Sequence, residues 1–356
     1  MKIAVLLSGG VDSSVALRLL QQQGHDVTAF YLKIWLQDEF SFLGDCPWDE
    51  DIAFARGVCE QAGVDLQVLP LQNEYWDKVV SYTITEIKAG RTPNPDMYCN
   101  RLIKFGDFYD KIDPVYEKVA SGHYGLIEER DGKYLLKMSP DPIKDQTYFL
   151  AYVTPPQLER ALFPLGYYNK QQIRDFAQEF NLPNQSRKDS QGICFLGKIK
   201  FRDFVKFHLG ELPGDIIDID RNIKVGEHPG YYYFTIGQRQ GIGLNGGPWY
   251  VVRKDHVNNT IYISRNKELL DVKRDSFYVH NINWIAGQAP ERENLRVKIR
   301  HGARSYACTF KQLSPLDGFV KIEGFDRGIA PGQFAVLYDG EYCLGGGSIE
   351  DDAPVA

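Results

Sequence analysis

Three short stretches carry residue types that could do chemistry together. The first is "LLSGGVDSSVAL" at 6–17, where an apolar run ends in two glycines and a helix-like segment begins on an aspartate and two serines. Glycines let backbone N–H groups approach an anion, and a helix N-terminus adds its dipole, so the layout is a phosphate cradle. The lysine of the common P-loop, GxxxxGK[ST], is missing from it. The second stretch is "GRTPNPDMYCNRLIKFG" at 90–106. Its prolines make a rigid loop, and Asp96 and Cys99, three residues apart, would share a face on a first helical turn. A helix start with Arg101 or Lys104 nearby would favour a Cys99 thiolate. Asp96 would oppose it unless it takes the proton, which makes Asp96 a candidate base or substrate orienter. A capped loop with a buried cysteine is the other reading of this segment. The third stretch is "SRKDSQGICFLG" at 186–197. There Cys194 follows a flexible turn of Ser190, Gln191 and Gly192, and Arg187 and Lys188 supply charge that favours a thiolate. The alternative is a buried cysteine at a strand start.

These residues need a scaffold, and the sequence supplies one. Up to about residue 200, strand-like runs ("KIAVLL", "DVTAFYL", "LQVLPL", "KVASGHYG") alternate with helix-like ones ("SSVALRLLQQQG", "DIAFARGVCEQAG"). Alternation of this kind predicts an α/β domain with a parallel, Rossmann-like sheet, whose ligands sit at the C-terminal ends of strands. Asp12 or Ser13 is expected near the N-terminus of the first helix and Gly24 at its end. Beyond about 205 the texture changes. "GDIIDI", "IKVGEH", "YYYFTIG", "PWYVVRKD" and "TIYISR" predict a small β-rich central domain. Five or six further strands from "DSFYVHNINWI" onward predict a C-terminal β-barrel. The expected domains are 1–200, 205–272 and 275–356.

Composition narrows the class. A chain of 356 residues with 43% hydrophobic content can hold two or three cored domains. No apolar run approaches the roughly 18 residues that span a membrane, so a cytoplasmic protein without membrane contact is expected. The formal net charge of −6 argues against nucleic-acid binding by bulk charge, yet basic residues gather at 186–207 and 296–304. The six cysteines form no CxxC pair, which disfavours a zinc site. Cys46, Cys59, Cys308 and Cys343 read as buried residues.

A strand, then "SGGVDSS", then a helix resembles the PP-loop of ATP pyrophosphatases. "TPNPDMYCN", "SGHY", "KDQTYFL", "KDSQGICFLG", "FTIGQRQGIG" and "APGQFAVLYDG" follow it in order. Together they resemble the tRNA-specific 2-thiouridylases, which place sulfur on the wobble uridine of certain tRNAs, and the likeness covers nearly the whole chain. The resemblance implies an ATP site of Leu7, Ser8, Gly9, Gly10, Val11, Asp12, Ser13, Ser14 and Gly122, with Asp12 placed to help hold Mg²⁺. It implies that Asn94, Pro95 and Asp96 face the target base and that Asp96 does acid–base work. Cys194 would carry sulfur as a persulfide delivered by a donor or relay protein. Cys99 would be its partner: either the persulfide attacks the adenylated base directly, or Cys99 attacks the persulfide, frees sulfide to do so and is left in a Cys99–Cys194 disulfide. His123, Lys144, Asp145, Gln146, Arg300, His301 and Gln333 would meet tRNA. Many family members have a different residue pair after the "KIR" string that here precedes "HGARS". Two other classes stay open on sequence: a PP-loop ligase acting on a small molecule, and a non-catalytic RNA-binding protein with a relic nucleotide fold.

Overall fold

The computed structural model describes residues 1–34, 47–188, 200–271 and 273–354. Cys194, the Ser190–Gly192 turn before it, and Cys46 lie outside the described residues. Strand β1 (Lys2–Leu6) is a buried apolar run, as the middle of a helix-covered parallel sheet requires. With β2 (Asp26–Lys33), β3 (Leu66–Pro70) and β4 (Lys118–Ala120) it belongs to a five-stranded sheet. The hairpin of β5 (Leu126–Arg130) and β6 (Lys133–Lys137) lies elsewhere, and β7 (Ala161–Leu162) completes the sheet. Its order is β3-β2-β1-β4-β7 and every pairing is parallel. β1 and β4 are neighbours, so the loops that follow them, "SGGVDSS" and "SGHY", emerge side by side.

Helix α1 (Val11–Gln22) has Asp12 in its first turn with Ser13 beside it, as expected, and Gly10 is its cap residue. The Ser13 and Ser14 hydroxyls turn back onto the Gly10 carbonyl, at 3.1 and 2.9 Å, and do not cap the helix. Gly24 closes the helix at φ +79°, as expected.

The central sheet has β8 (Gly214–Asp218), β9 (Ile223–His228), β10 (Tyr250–Asp255) and β11 (Thr260–Ser264) in the order β10-β11-β8-β9. The "YYYFTIG" stretch was expected to be a strand there, but Tyr231–Tyr233 form a 3-10 turn. Gly230, at φ +147°, redirects the chain. The three hydroxyls then go to carbonyls of other segments: Tyr231 to Lys88, Tyr232 and Tyr233 to Gly210.

The C-terminal strands are β12 (Arg274–Trp284), β13 (Asn294–Lys298), β14 (Tyr306–Gln312), β15 (Gly318–Asp326), β16 (Phe334–Asp339) and β17 (Tyr342–Glu350). They run β12-β15-β14-β13-β16-β17, and β17 pairs back onto β12, which closes a six-stranded antiparallel barrel. Closure hides the strand edges, with Val279, Val297, Val320, Leu337 and Ile349 inside. One feature has no counterpart in the sequence reading. The hairpin β5–β6, from the N-terminal half, extends the barrel by pairing β6 with the start of β17, Leu136 opposite Cys343. The seam is packed as well as hydrogen-bonded: Phe334, Val336 and Tyr338 share one buried cluster with Met97, Cys99 and Phe105.

Candidate active site

The cradle is built from its own backbone and from two distant side chains. Gly9 has φ +76°, and a Cβ there would lie 2.2 Å from the Asp51 carbonyl oxygen, so only glycine fits. The Ser13 hydroxyl accepts from the Ser8 N–H at 3.2 Å. Asn184 donates to the Gly9 carbonyl at 2.8 Å and to the Ser14 hydroxyl at 2.9 Å. Arg187 donates to the same carbonyl at 3.0 Å and ion-pairs with Asp51. These bonds hold the loop by its carbonyls. The first-turn N–H groups of α1, which have no intrahelical acceptor, remain for an anion.

Gly122 lies directly against this cradle. A Cβ on it would sit 2.8 Å from the Ser13 nitrogen and 3.0 Å from the Asp12 carbonyl carbon. Gly122→Ala is therefore expected to push the loop off its geometry. Nucleotide affinity should fall by about tenfold or more, the loss of a well-placed hydrogen bond or two, and the melting temperature should fall as well because the overlap is with backbone. Calorimetric titration with a thermal melt checks this. Asp12 is held on its exposed side: its Oδ1 takes the Lys170 ammonium at 2.6 Å and the Tyr124 hydroxyl at 2.9 Å. Lys170 opens the helix Lys170–Glu179, which Asn169 caps through Gln172. A lysine thus reaches the loop from 158 residues downstream. Sequence reasoning missed it. The available signal was the Asn-x-x-Gln helix start around it, which marks a helix and no ligand.

The second stretch forms the helical run 95–111, with Pro95–Tyr98 in α form and Cys99–Asp107 as π-helix. The Asn94 N–H donates to the Tyr82 hydroxyl at 3.3 Å, and Tyr82 stacks on Tyr98 at 3.9 Å. Asp96 has one buried carboxyl oxygen, Oδ1, without a hydrogen-bond partner among the described residues. Cys99 corrects the expectation of a stabilised thiolate. It lies one turn inside the helix and is 1% exposed, and Arg101 is turned onto the Tyr152 ring, 5.2 Å away. Burial raises its thiol pKa; Lys104 and a Tyr75 hydrogen bond work against this and Asp96 adds to it. Cys59, Cys308 and Cys343 are buried free thiols, pushed by burial up to about 11, 12 and 12.

Three family descriptions match the chain in order. Residues 1–198 match a "tRNA methyl transferase HUP domain", 202–265 a "tRNA methyl transferase PRC-barrel domain" and 274–349 an "Aminomethyltransferase beta-barrel domain". Whole-chain relatives carry a different activity in their names. The tRNA-specific 2-thiouridylase MnmA of Parabacteroides distasonis is 42% identical, covering 99% of both chains. MnmA 1 of Bacteroides thetaiotaomicron is 43% identical over 98% of this chain and 99% of its own, and MnmA 2 of Bacteroides fragilis 43% over 98% and 100%. The chain belongs to the tRNA-specific 2-thiouridylase family. It is a tRNA sulfurtransferase of that family.

For a thiouridylase, the residues expected to meet RNA now have places. His123 is half-buried, with the Ser121 hydroxyl 2.7 Å from its Nδ1 and the Phe105 and Phe163 rings beside it. Burial, with Lys104 adding, holds it well below the ordinary histidine value. Lys144 and Gln146 are half-buried, and Gln146 accepts from the Tyr124 N–H at 3.0 Å. Asp145, between them, is 1% exposed and ion-paired at 2.9 Å with Lys298, itself 2% exposed. Its carboxylate thus faces the interior. Arg300 is exposed and pairs with Asp326 at 2.5 Å, and His301 stacks on Phe149 at 4.7 Å. Gln333 has a buried side-chain oxygen without a partner among the described residues. At the seam the Tyr148 hydroxyl donates to the Phe334 carbonyl at 3.1 Å, next to Gln333 in the chain, and Phe149 stacks on His301. Among the described residues no helix is long and apolar enough to cross a membrane.

Proposed function

We propose that the chain carries out ATP-dependent 2-thiolation of the wobble uridine of tRNA in the cytoplasm, with sulfur supplied by a persulfide donor protein. The cradle from Leu7 to Ser14, with Gly122, grips the phosphates of ATP. Lys170 supplies the cation that the loop itself lacks. Mg²⁺ supplies further charge neutralisation when bound. Asp12, in the first turn of α1 and paired with Lys170, would help hold that ion. The uracil O2 attacks the α-phosphorus, pyrophosphate leaves, and the poor oxygen leaving group has become AMP. Sulfane sulfur on Cys194 then replaces AMP at C2. Whether the persulfide attacks directly or Cys99 first frees the sulfide, the sulfur ends on C2 and the two thiols end as a Cys99–Cys194 disulfide, which balances the two electrons. Asn94, Pro95 and Asp96 face the base, which must leave the anticodon stack to enter. The parts 1–200, 205–272 and 275–356 act as catalytic domain, central domain and RNA-reading barrel.

The observation that carries the reading is the Arg187–Gly9 bond. The segment leading to Cys194 is fastened to the phosphate loop seven residues before the cysteine. The partnerless oxygens of Asp96 and Gln333 add support, because a buried acceptor left unpaired costs about 1–3 kcal/mol and such groups mark functional sites. The test is incubation with tRNA, ATP, Mg²⁺ and a persulfide donor, followed by nucleoside mass analysis and assay of AMP and pyrophosphate. The expected result is 2-thiouridine, with pyrophosphate release that requires tRNA. Pyrophosphate release indifferent to tRNA, with no thiolated nucleoside, would overturn the reading in favour of a small-molecule ligase.

A further inference from the structure

The buried pair of Asp145 and Lys298 has no place in the sulfur chemistry, and its surroundings are unusually complete. Asp145 Oδ1 accepts from the Ser139 N–H at 3.2 Å, the Thr147 N–H at 3.4 Å and the Thr147 hydroxyl at 2.9 Å. Its Oδ2 takes the Lys298 ammonium, which also lies 5.0 Å from the centre of the Tyr338 ring. Lys298 ends β13 in the barrel, two residues before Arg300 and three before His301. Asp145 stands between Lys144 and Gln146. The pair therefore fastens one group of RNA-facing residues to the other, and His301 adds a bond to the Asp145 carbonyl at 3.1 Å. Buried ion pairs contribute little net stability over well-packed apolar residues; their best-attested use is to fix one arrangement among several.

The fastening continues inward. Gln146 and Tyr124 clamp each other twice, Gln146 N–H to Tyr124 carbonyl at 2.8 Å and Tyr124 N–H to Gln146 Oε1 at 3.0 Å. The Tyr124 hydroxyl then donates to Asp12 Oδ1 in the phosphate loop at 2.9 Å. One unbroken series of bonds and adjacent residues runs from the barrel to the cradle: Lys298, Asp145, Gln146, Tyr124, Asp12.

We infer that Lys298 is a positioning residue that couples tRNA on the barrel to ATP in the cradle, so that each ligand tightens the binding of the other. The inference rests on the function proposed above. Such coupling is reciprocal by thermodynamic necessity. A pair that only stabilised the fold would shift both affinities without changing how one ligand alters the other.

The measurement is the affinity for α,β-methylene-ATP, which cannot be cleaved at the α–β bond, with and without saturating tRNA. In the unaltered chain tRNA is expected to tighten nucleotide binding by about tenfold, inside the usual 5- to 150-fold span of such coupling. Lys298→Met strands a buried carboxylate and can fail to fold. The variant to use is therefore Lys298→Met with Asp145→Asn, which neutralises both partners and keeps an acceptor for Ser139 and Thr147. In it the tightening should drop below about twofold while each ligand alone still binds. Equal tightening in the double variant and the unaltered chain overturns the inference, and so does absence of tightening in the unaltered chain. If tRNA does not bind the unaltered chain at all, the proposed function fails with it.

Discussion

Cys194→Ser should abolish 2-thiouridine formation while tRNA-dependent pyrophosphate release continues. An alcohol cannot carry sulfane sulfur, but the cradle, Lys170 and the base-facing residues proposed to adenylate the uridine are untouched. The two half-reactions should therefore come apart, with thiolation below detection and adenylation within a few-fold of normal. Cys99→Ser should produce nearly the same loss, because no second thiol then supplies the remaining electron pair. Burial raises the Cys99 thiol above its ordinary value, so only a small fraction is thiolate at neutral pH. Where Cys99 attack limits the rate, thiolation should climb with pH through the thiol range, and the climb should vanish in single-turnover adenylation. Peptide mapping without reductant after turnover checks the pairing. Full thiolation by the double serine variant would end the sulfur relay.

Lys170→Met should cut tRNA-dependent pyrophosphate release by about 10²–10³-fold, the usual loss when one preorganised donor is taken from developing charge in a water-poor site. Cleavage between the α- and β-phosphorus puts negative charge on the departing pyrophosphate, and the Lys170 ammonium stands beside the loop proposed to hold it. Lys170→Arg should recover part of the rate, since the charge remains and the reach changes. Loading of persulfide onto Cys194, followed by mass, should be unaffected by either change. A Lys170→Met enzyme that releases pyrophosphate at the normal rate would show that the lysine only pins Asp12 and takes no share of the phosphate charge.

The elements were legible where one local pattern decides them. "KIAVLL" reads as a buried strand because both faces are covered, and the barrel strands read from their alternation and glycine turns. What failed to read depends on partners far along the chain. Lys170 looks like any helix-start lysine until Asp12 is seen beside it. Asp145 sits in a polar string that suggests a solvated loop, and only the fold reveals Lys298 across from it. Tyr231–Tyr233 have strong strand preference, yet Gly230 and three hydroxyl partners outside the segment override it. Cys99 had the right neighbours by type, but Arg101 points away and desolvation outweighs what remains.

The hairpin that extends the barrel has a consequence for how the polypeptide is made. β6 is synthesised early, but its partner residues Tyr342 and Cys343 emerge some two hundred residues later. At common translation rates the hairpin's outer edge waits about 10–40 s on the ribosome with its hydrogen bonds unmet. The edge of β6 has no partner until β17 is made, and a premature stop before β17 would release a product with an open strand edge prone to self-association.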